Sequence, residues 1–173
     1  WEGEPDGESK TFTYQQLYNE VCRFANVLKK MGIHKGDRIF IYLPLIPELT
    51  ISMLACARIG AIHHITNTGF SAQTIQERIQ NCGASLLICC DGYYRNGRIL
   101  ESKVNADIAM ASCPSIKKAI VVKRSGSRVL FQEGRDHWWH ELMSSPDITA
   151  INEPEPMDSE DPLFLLYTSG TTG

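Results

Sequence analysis

No window of this chain approaches the roughly 20 consecutive apolar residues of a membrane span. The opening Trp1-Glu-Gly-Glu-Pro-Asp-Gly-Glu8 is acidic and polar, the opposite of a signal or transit peptide. There is no basic excess either: 17 Lys and Arg against 20 Asp and Glu leave a net charge of −3, with a pI near 6.0. That removes the general electrostatic footprint of a nucleic-acid binder. The nucleotide-binding pattern Gly-x4-Gly-Lys-Ser/Thr is missing. Six cysteines are present, at positions 22, 56, 82, 89, 90 and 113, but without the paired spacing of a metal site. Most sit in apolar surroundings, and Cys89 and Cys90 point to opposite faces if they lie on a strand. They read as buried thiols, kept reduced in a cytosolic-type compartment. A first residue of Trp rather than Met implies that residues precede it.

What remains is ordinary for a globular protein: 173 residues, 43% hydrophobic and 21% charged, enough for one well-buried core. Thr13 and Gln16 form a capping box, with Phe12 and Leu17 as its hydrophobic staple. Apolar residues at 17, 21, 24, 28 and 31 then predict a helix that Gly32 ends. A strand follows over 38–43, and Pro47 opens a helix through Leu49, Met53, Leu54 and Ala57. Residues 61–65 read as a strand, and Ser71 caps a helix carrying Ile75 and Ile79. The apolar run 85–90 has the character of a strand covered on both faces. A helix with Leu100, Val104 and Ile108 leads to a strand over 116–122. Residues 128–131 are a possible hairpin partner, and Asp136 is a possible cap for a short helix holding Trp138, Trp139 and Leu142. This alternation predicts an α/β fold, a mostly parallel sheet flanked by helices. The expected divisions are a polar lead-in over 1–12, an α/β subdomain over 13–143, a Pro-rich surface segment over 144–162, and a strand with the start of a loop over 163–173.

The chain ends on Leu163-Phe-Leu-Leu-Tyr-Thr-Ser-Gly-Thr-Thr-Gly173. An apolar strand that breaks into glycines and hydroxyls suits a phosphate-binding turn. Gly170 and Gly173 permit close backbone approach to an anion, and Thr168, Ser169, Thr171 and Thr172 offer four hydroxyl donors. A plain polar turn has the same composition. Arg95-Asn96-Gly97-Arg98 sets two guanidinium forks three residues apart, a pattern that can converge on phosphate; a solvated loop with two surface charges is the simpler reading of composition alone.

Tyr167 to Gly173 resembles the first part of the phosphate-loop signature of the acyl-adenylate-forming superfamily, which normally continues Lys-Pro-Lys-Gly. Further segments, among them Trp1-Glu-Gly, Val21–Leu28, Met53–Ala61, Gly69-Phe-Ser71, Gln132–His140 and Asp161–Phe164, resemble the AMP-forming acetyl-CoA synthetases, the short-chain acyl-CoA synthetase branch. The resemblance spans nearly the whole chain. It implies the large N-terminal domain of that fold and a ligase using ATP, Mg2+ and coenzyme A on a short carboxylic acid, acetate or propionate, with no nucleic-acid or membrane partner. It also implies a cytoplasmic location, or the mitochondrial matrix in a eukaryote. Thr168, Ser169, Gly170, Thr171, Thr172 and Gly173 would hold the ATP β- and γ-phosphates. Arg95, Asn96, Gly97 and Arg98 would hold the CoA phosphates, where the family reads Arg-Ala-Gly-Arg. Asn67, Thr68 and Gly69 would lie beside the CoA adenine, where the family has Phe-Gly-Gly, so a stacking ring is lost. No catalytic residue falls in this stretch, since the adenylation lysine belongs to a later domain. The chain is therefore expected to be inactive alone. The alternative is a non-catalytic CoA- or nucleotide-binding or structural domain of the same fold.

Among the remaining candidates, His137 and His140 lack a carboxylate or cysteine co-ligand, and a short helix docking its tryptophans is the preferred reading. His63-His64 reads as strand-end packing, and the clusters Lys117-Lys118 and Lys123-Arg124 as solvated charge.

Overall fold

The structure, a computed structural model, describes residues 1–4 and 7–167. Its centre is a six-stranded sheet in the order β7-β6-β3-β1-β2-β8, with every pairing parallel. The strands are β1 (Arg38–Tyr42), β2 (Ile62–Ile65), β3 (Leu86–Cys90), β6 (Lys118–Val122), β7 (Asp136–Trp138) and β8 (Phe164–Leu165). A two-stranded antiparallel ribbon, β4 (Tyr93–Arg95) and β5 (Arg98–Leu100), stands apart from it. The helices are α1 (Tyr14–Lys30), α2 (Pro47–Arg58), α3 (Ala72–Cys82), α4 (Ser102–Ala111) and α5 (Trp139–Ser144). This is the expected α/β class.

The sheet is buried on both faces. Ile39, Ile41, Leu86, Ile88 and Cys90 pack with residues of α1, α2 and α5, among them Phe24, Ile51 and Trp139. Phe40, Tyr42, Leu87 and Cys89 pack with α3 and α4 through Ile75, Ile79, Ala106 and Ala109. Trp139 stacks on Phe24 at 3.9 Å. Cys89 and Cys90 do face opposite cores, and all six cysteines are buried and free. Burial pushes the Cys90 thiol up to about 12, so it is inert as a nucleophile at neutral pH.

Local chemistry agrees with the helix starts. Thr13 and Gln16 form the reciprocal capping box of α1, and Ser71 accepts from the Thr74 amide at the start of α3. Helical phase was harder to read. Val104 and Ile108, expected to face inward, are about half exposed, while α4 buries Ser102, Lys103, Ala106, Ala109 and Met110. Polar contacts turn the helix: Ser102 donates to the Cys90 carbonyl at 2.9 Å, and Lys103 reaches the Asp136 carboxylate at 2.9 Å. Helix α2 is shifted similarly, with Leu54 outward and Ile51, Ser52, Ala55 and Cys56 inward.

Two expectations near the C-terminal half are corrected. Residues 128–131 form no strand, and Asp136 caps no helix. Asp136 lies in β7, the parallel neighbour of β6, with its carboxylate tied to Lys103, Arg135 and the Gln132 amide. That set of donors draws the segment onto the free β6 edge. Strand β8 pairs with β2, and Leu163, Phe164 and Leu166 around it are each at least half exposed.

Candidate functional site

Strands β2, β1, β3, β6 and β7 reproduce the 2-1-3-4-5 doubly wound order, in which ligands bind beyond the carboxyl ends of strands at the switch point. A cavity of about 530 Å³ lies there, lined by segments that follow β1, β2, β3 and β6, with Trp1–Glu4 across it.

After β2 the chain makes a turn that Asn67 closes on itself. Its side-chain oxygen accepts from the Gly69 amide at 2.9 Å, and its carbonyl accepts from the Phe70 amide. Two hydroxyls from beneath fix the turn, with Tyr42 and Tyr93 both donating to the Thr68 carbonyl, at 2.8 and 3.2 Å. Burial holds the Tyr42 phenol up at about 12, so it stays a donor throughout the working pH range. Asn67 thus orders its own backbone.

After β3 comes the ribbon. Arg95 and Arg98 are direct cross-strand partners, with Asn96 at φ 51 and Gly97 at φ 71 between them. Positive φ at both central residues marks a type I′ turn, for which Asn-Gly is the preferred dipeptide. The segment is therefore a tight, solvent-exposed hairpin, and it projects both guanidinium groups from one face of the ribbon. Both arginines are exposed, and among the described residues neither makes an ion pair. Like charges directly opposite each other are destabilising. An anion between them would remove that cost. The hairpin and the Asn67–Gly69 turn meet here, because a Cβ built on Gly69 would lie 3.3 Å from Arg95 Nη1.

Arg124 was misjudged as solvated. Its guanidinium grips Glu8 through two bonds of 2.8 and 2.7 Å, donates to the Glu4 carbonyl, and lies within about 5 Å of the Trp1 and Tyr94 rings. Glu4 in turn accepts from the Gly97 amide at 2.5 Å, so the N-terminal segment is pinned to the hairpin tip. Sequence reasoning also passed over Asp91. This buried carboxylate accepts from four backbone amides, those of Gly92, Arg124, Ser125 and Gly126, at 2.7–3.0 Å. It joins the end of β3 to the turn after β6 and so places Arg124. The signal was available, since an aspartate one residue past an apolar strand is a common organiser of turns.

Two substitutions test this geometry. Asp91→Asn keeps the oxygen that serves three amides but turns an N–H group toward the Gly126 amide; a loss of about 1–3 kcal/mol in chemical denaturation is expected. Gly69→Ala should leave the melting temperature within about 2 °C, since the nearest atom is a flexible side-chain end. It should displace Arg95 and weaken binding of a phosphate ligand about threefold by titration.

Thr168 to Gly173 lie outside the described residues. Strand β8 leads toward them, and its Leu165 carbonyl meets His64 Nδ1 at 2.9 Å. His63 and His64 are buried in β2, and burial lowers the pKa of both. Among the described residues no group of three or more His, Cys, Asp or Glu could hold a metal ion. No helix there is long and apolar enough to cross a membrane.

Comparisons with known proteins agree with this architecture. Acetyl-coenzyme A synthetase of Gemmatimonas aurantiaca is 54% identical over 179 residues, covering 100% of this chain and 27% of the relative. The protein of the same name from Nostoc linckia is 51% identical over 174 residues, covering all of this chain and 51% of the relative. The acetoacetyl-CoA synthetase of Streptomyces lividans superposes with a TM-score of 0.86 at 27% identity, over 96% of this chain and 25% of that one. The chain thus spans about a quarter to a half of the length of these proteins. The family described as AMP-binding enzyme matches residues 4–173, from the Glu4 that caps the arginine hairpin to the last residue of the glycine- and hydroxyl-rich run, and this chain belongs to it.

Proposed function

We propose that this chain is the N-terminal part of an AMP-forming short-chain acyl-CoA synthetase. In the first step the carboxylate oxygen of acetate or propionate attacks the α-phosphorus of Mg2+-bound ATP. The α–β phosphoanhydride bond breaks, pyrophosphate leaves with the electron pair, and acyl-AMP remains. In the second step the CoA thiol, losing its proton, attacks the acyl carbon and AMP departs. Both steps gather charge on phosphate oxygens, which calls for fixed N–H, O–H and cationic donors.

The observation that carries this reading is the Arg95–Arg98 pair: two exposed guanidinium groups, without an ion pair among the described residues, on one face of a tight hairpin beside Gly69. They are assigned to the CoA phosphates, with Asn96 and Gly97 supplying the turn. Asn67, Thr68 and Gly69 are assigned to the edge of the CoA adenine, without a stacking ring. Thr168, Ser169, Gly170, Thr171, Thr172 and Gly173 are assigned to the ATP β- and γ-phosphates through hydroxyl and amide donors. Magnesium enters as part of the ATP substrate. A cytoplasmic location and the absence of a nucleic-acid partner belong to the same proposal, the second supported by the acidic net charge.

The test uses the full-length protein. Acetate-dependent exchange of labelled pyrophosphate into ATP is expected without CoA, and acyl-CoA formation once CoA is added. Absence of both reactions with acetate and with propionate would sink the proposal. Residues 1–173 alone are expected to give neither.

A further inference from the structure

Arg78, in the middle of α3, is only 8% exposed. Among the described residues no carboxylate pairs with it, and its Nε has no hydrogen-bond partner. A buried cation without a counter-charge is costly, and an apolar side chain of similar length would fill the same space without that cost. Its contacts say what the cation does. One Nη donates to the Thr66 hydroxyl at 2.7 Å. The guanidinium carbon lies 4.2 Å from the centre of the Phe70 ring and 5.1 Å from that of Tyr167, both within cation–π range. Thr66 and Phe70 bracket the Asn67-Thr68-Gly69 turn. Tyr167 is the residue directly before Thr168. One planar cation therefore touches residues that flank both segments assigned to ligands.

Tyr167 is held from other sides as well. Its hydroxyl donates to Asn81, one turn further along α3, at 2.5 Å. The His64 ring meets it edge-on at 4.8 Å and 80°. Position 167 is thus fixed by α3 and β2, and Arg78 is the member of this group that also reaches Phe70.

We propose that Arg78 is a positioning residue that couples the Asn67-Thr68-Gly69 turn to the chain leading into Thr168–Gly173, through Phe70 and Tyr167. Order imposed at one segment is thereby transmitted to the other. The coupling itself is a property of the fold; its consequence for CoA and ATP rests on the function proposed above.

Amide hydrogen exchange on the ligand-free full-length protein tests the coupling without any activity. In Arg78→Met, peptides covering residues 66–71 and 164–167 should both exchange at least about fivefold faster, while a peptide over 14–30 keeps its rate. Arg78→Lys should behave as Arg78→Met, because an ammonium group lacks the plane that spans two rings. It also serves as the test variant if Arg78→Met fails to fold. Faster exchange in one segment only, in the whole chain, or in neither overturns the proposal, as does full rescue by Lys. In pyrophosphate exchange, the KM for ATP should rise about five- to tenfold with kcat within about threefold, and in acyl-CoA formation the KM for CoA should rise alongside it. With Tyr167→Leu added, the double variant should be no worse than the poorer single one; multiplied effects would mean that the two residues act independently. If the wild-type protein shows no exchange reaction, the proposed function falls while the amide data still decide the coupling.

Discussion

Asp136→Val should destabilise the protein by about 3–5 kcal/mol in chemical denaturation, among the largest losses expected of any single side chain here. The Asp136 side chain is fully buried, as is that of Lys103, which it meets at 2.9 Å. Removing the carboxylate leaves the ammonium group inside the protein with Asp107, itself partly exposed, as its remaining carboxylate among the described residues. It also removes the acceptor of the Gln132 amide and one of the two carboxylates that Arg135 holds. Adding Lys103→Met should recover more than half of the loss, because an apolar pair in that space carries no desolvation cost and Arg135 still pairs with Asp107. A double variant as unstable as Asp136→Val would show that strand pairing, and not the buried charge, is what matters. The pH dependence has a definite sign. Burial alone would raise the Asp136 carboxyl, but donation from Arg135, Lys103 and the Gln132 amide outweighs it and holds the group below its ordinary 3.8. A carboxyl lower in the folded than in the unfolded state stabilises fully above the unfolded value. That stabilisation is lost as the pH falls through 3.8 toward the lower folded value, and Asp136→Val should flatten the acid limb of the stability profile.

The same network explains where the sequence could be read and where it could not. The strands at 38–42, 86–90 and 118–122 follow from apolar runs that only a two-sided core can accept. Helices α1 and α3 follow from cap chemistry confined to four residues. Apolar spacing finds helices α2 and α4 but gives both the wrong face, and it puts Leu100 of β5 into α4, because it fixes a helical face only when no polar residue is drawn inward. In α4 the inward residue is Lys103, whose partner lies 33 positions away. Nothing local announces such a pair. The edge strand β7 was lost for the same reason, and its aspartate was mistaken for a cap.

At the candidate site the balance is different. Arg95 and Arg98 were legible as a phosphate-type pair, and Asn96-Gly97 already carried the strongest short-range hairpin signal. The residues that shape the site were not legible. Asp91, Arg124 and Arg78 act through partners that are distant in sequence or are backbone amides, so each resembles an ordinary surface charge until the fold brings its contacts together.

Arg95→Ala with Arg98→Ala should give the largest functional effect. Each arginine can offer a phosphate a bidentate, charge-assisted contact, so each single change should raise the KM for CoA about tenfold and the pair about a hundredfold. Pyrophosphate exchange without CoA should stay within about twofold, since neither side chain is assigned to ATP. Stability should move the opposite way. The two guanidinium groups oppose each other directly across the ribbon without a described counter-charge, so removing one should raise the stability of the ligand-free protein by about 0.2–1 kcal/mol. A residue kept only for packing would lose stability and activity together. Gain of stability alongside loss of CoA binding is the signature of a repulsion retained for a ligand, and it should weaken as salt screens the pair. Equal losses in both reactions, or a fall in melting temperature, would instead assign the hairpin to the fold and leave CoA to be held elsewhere.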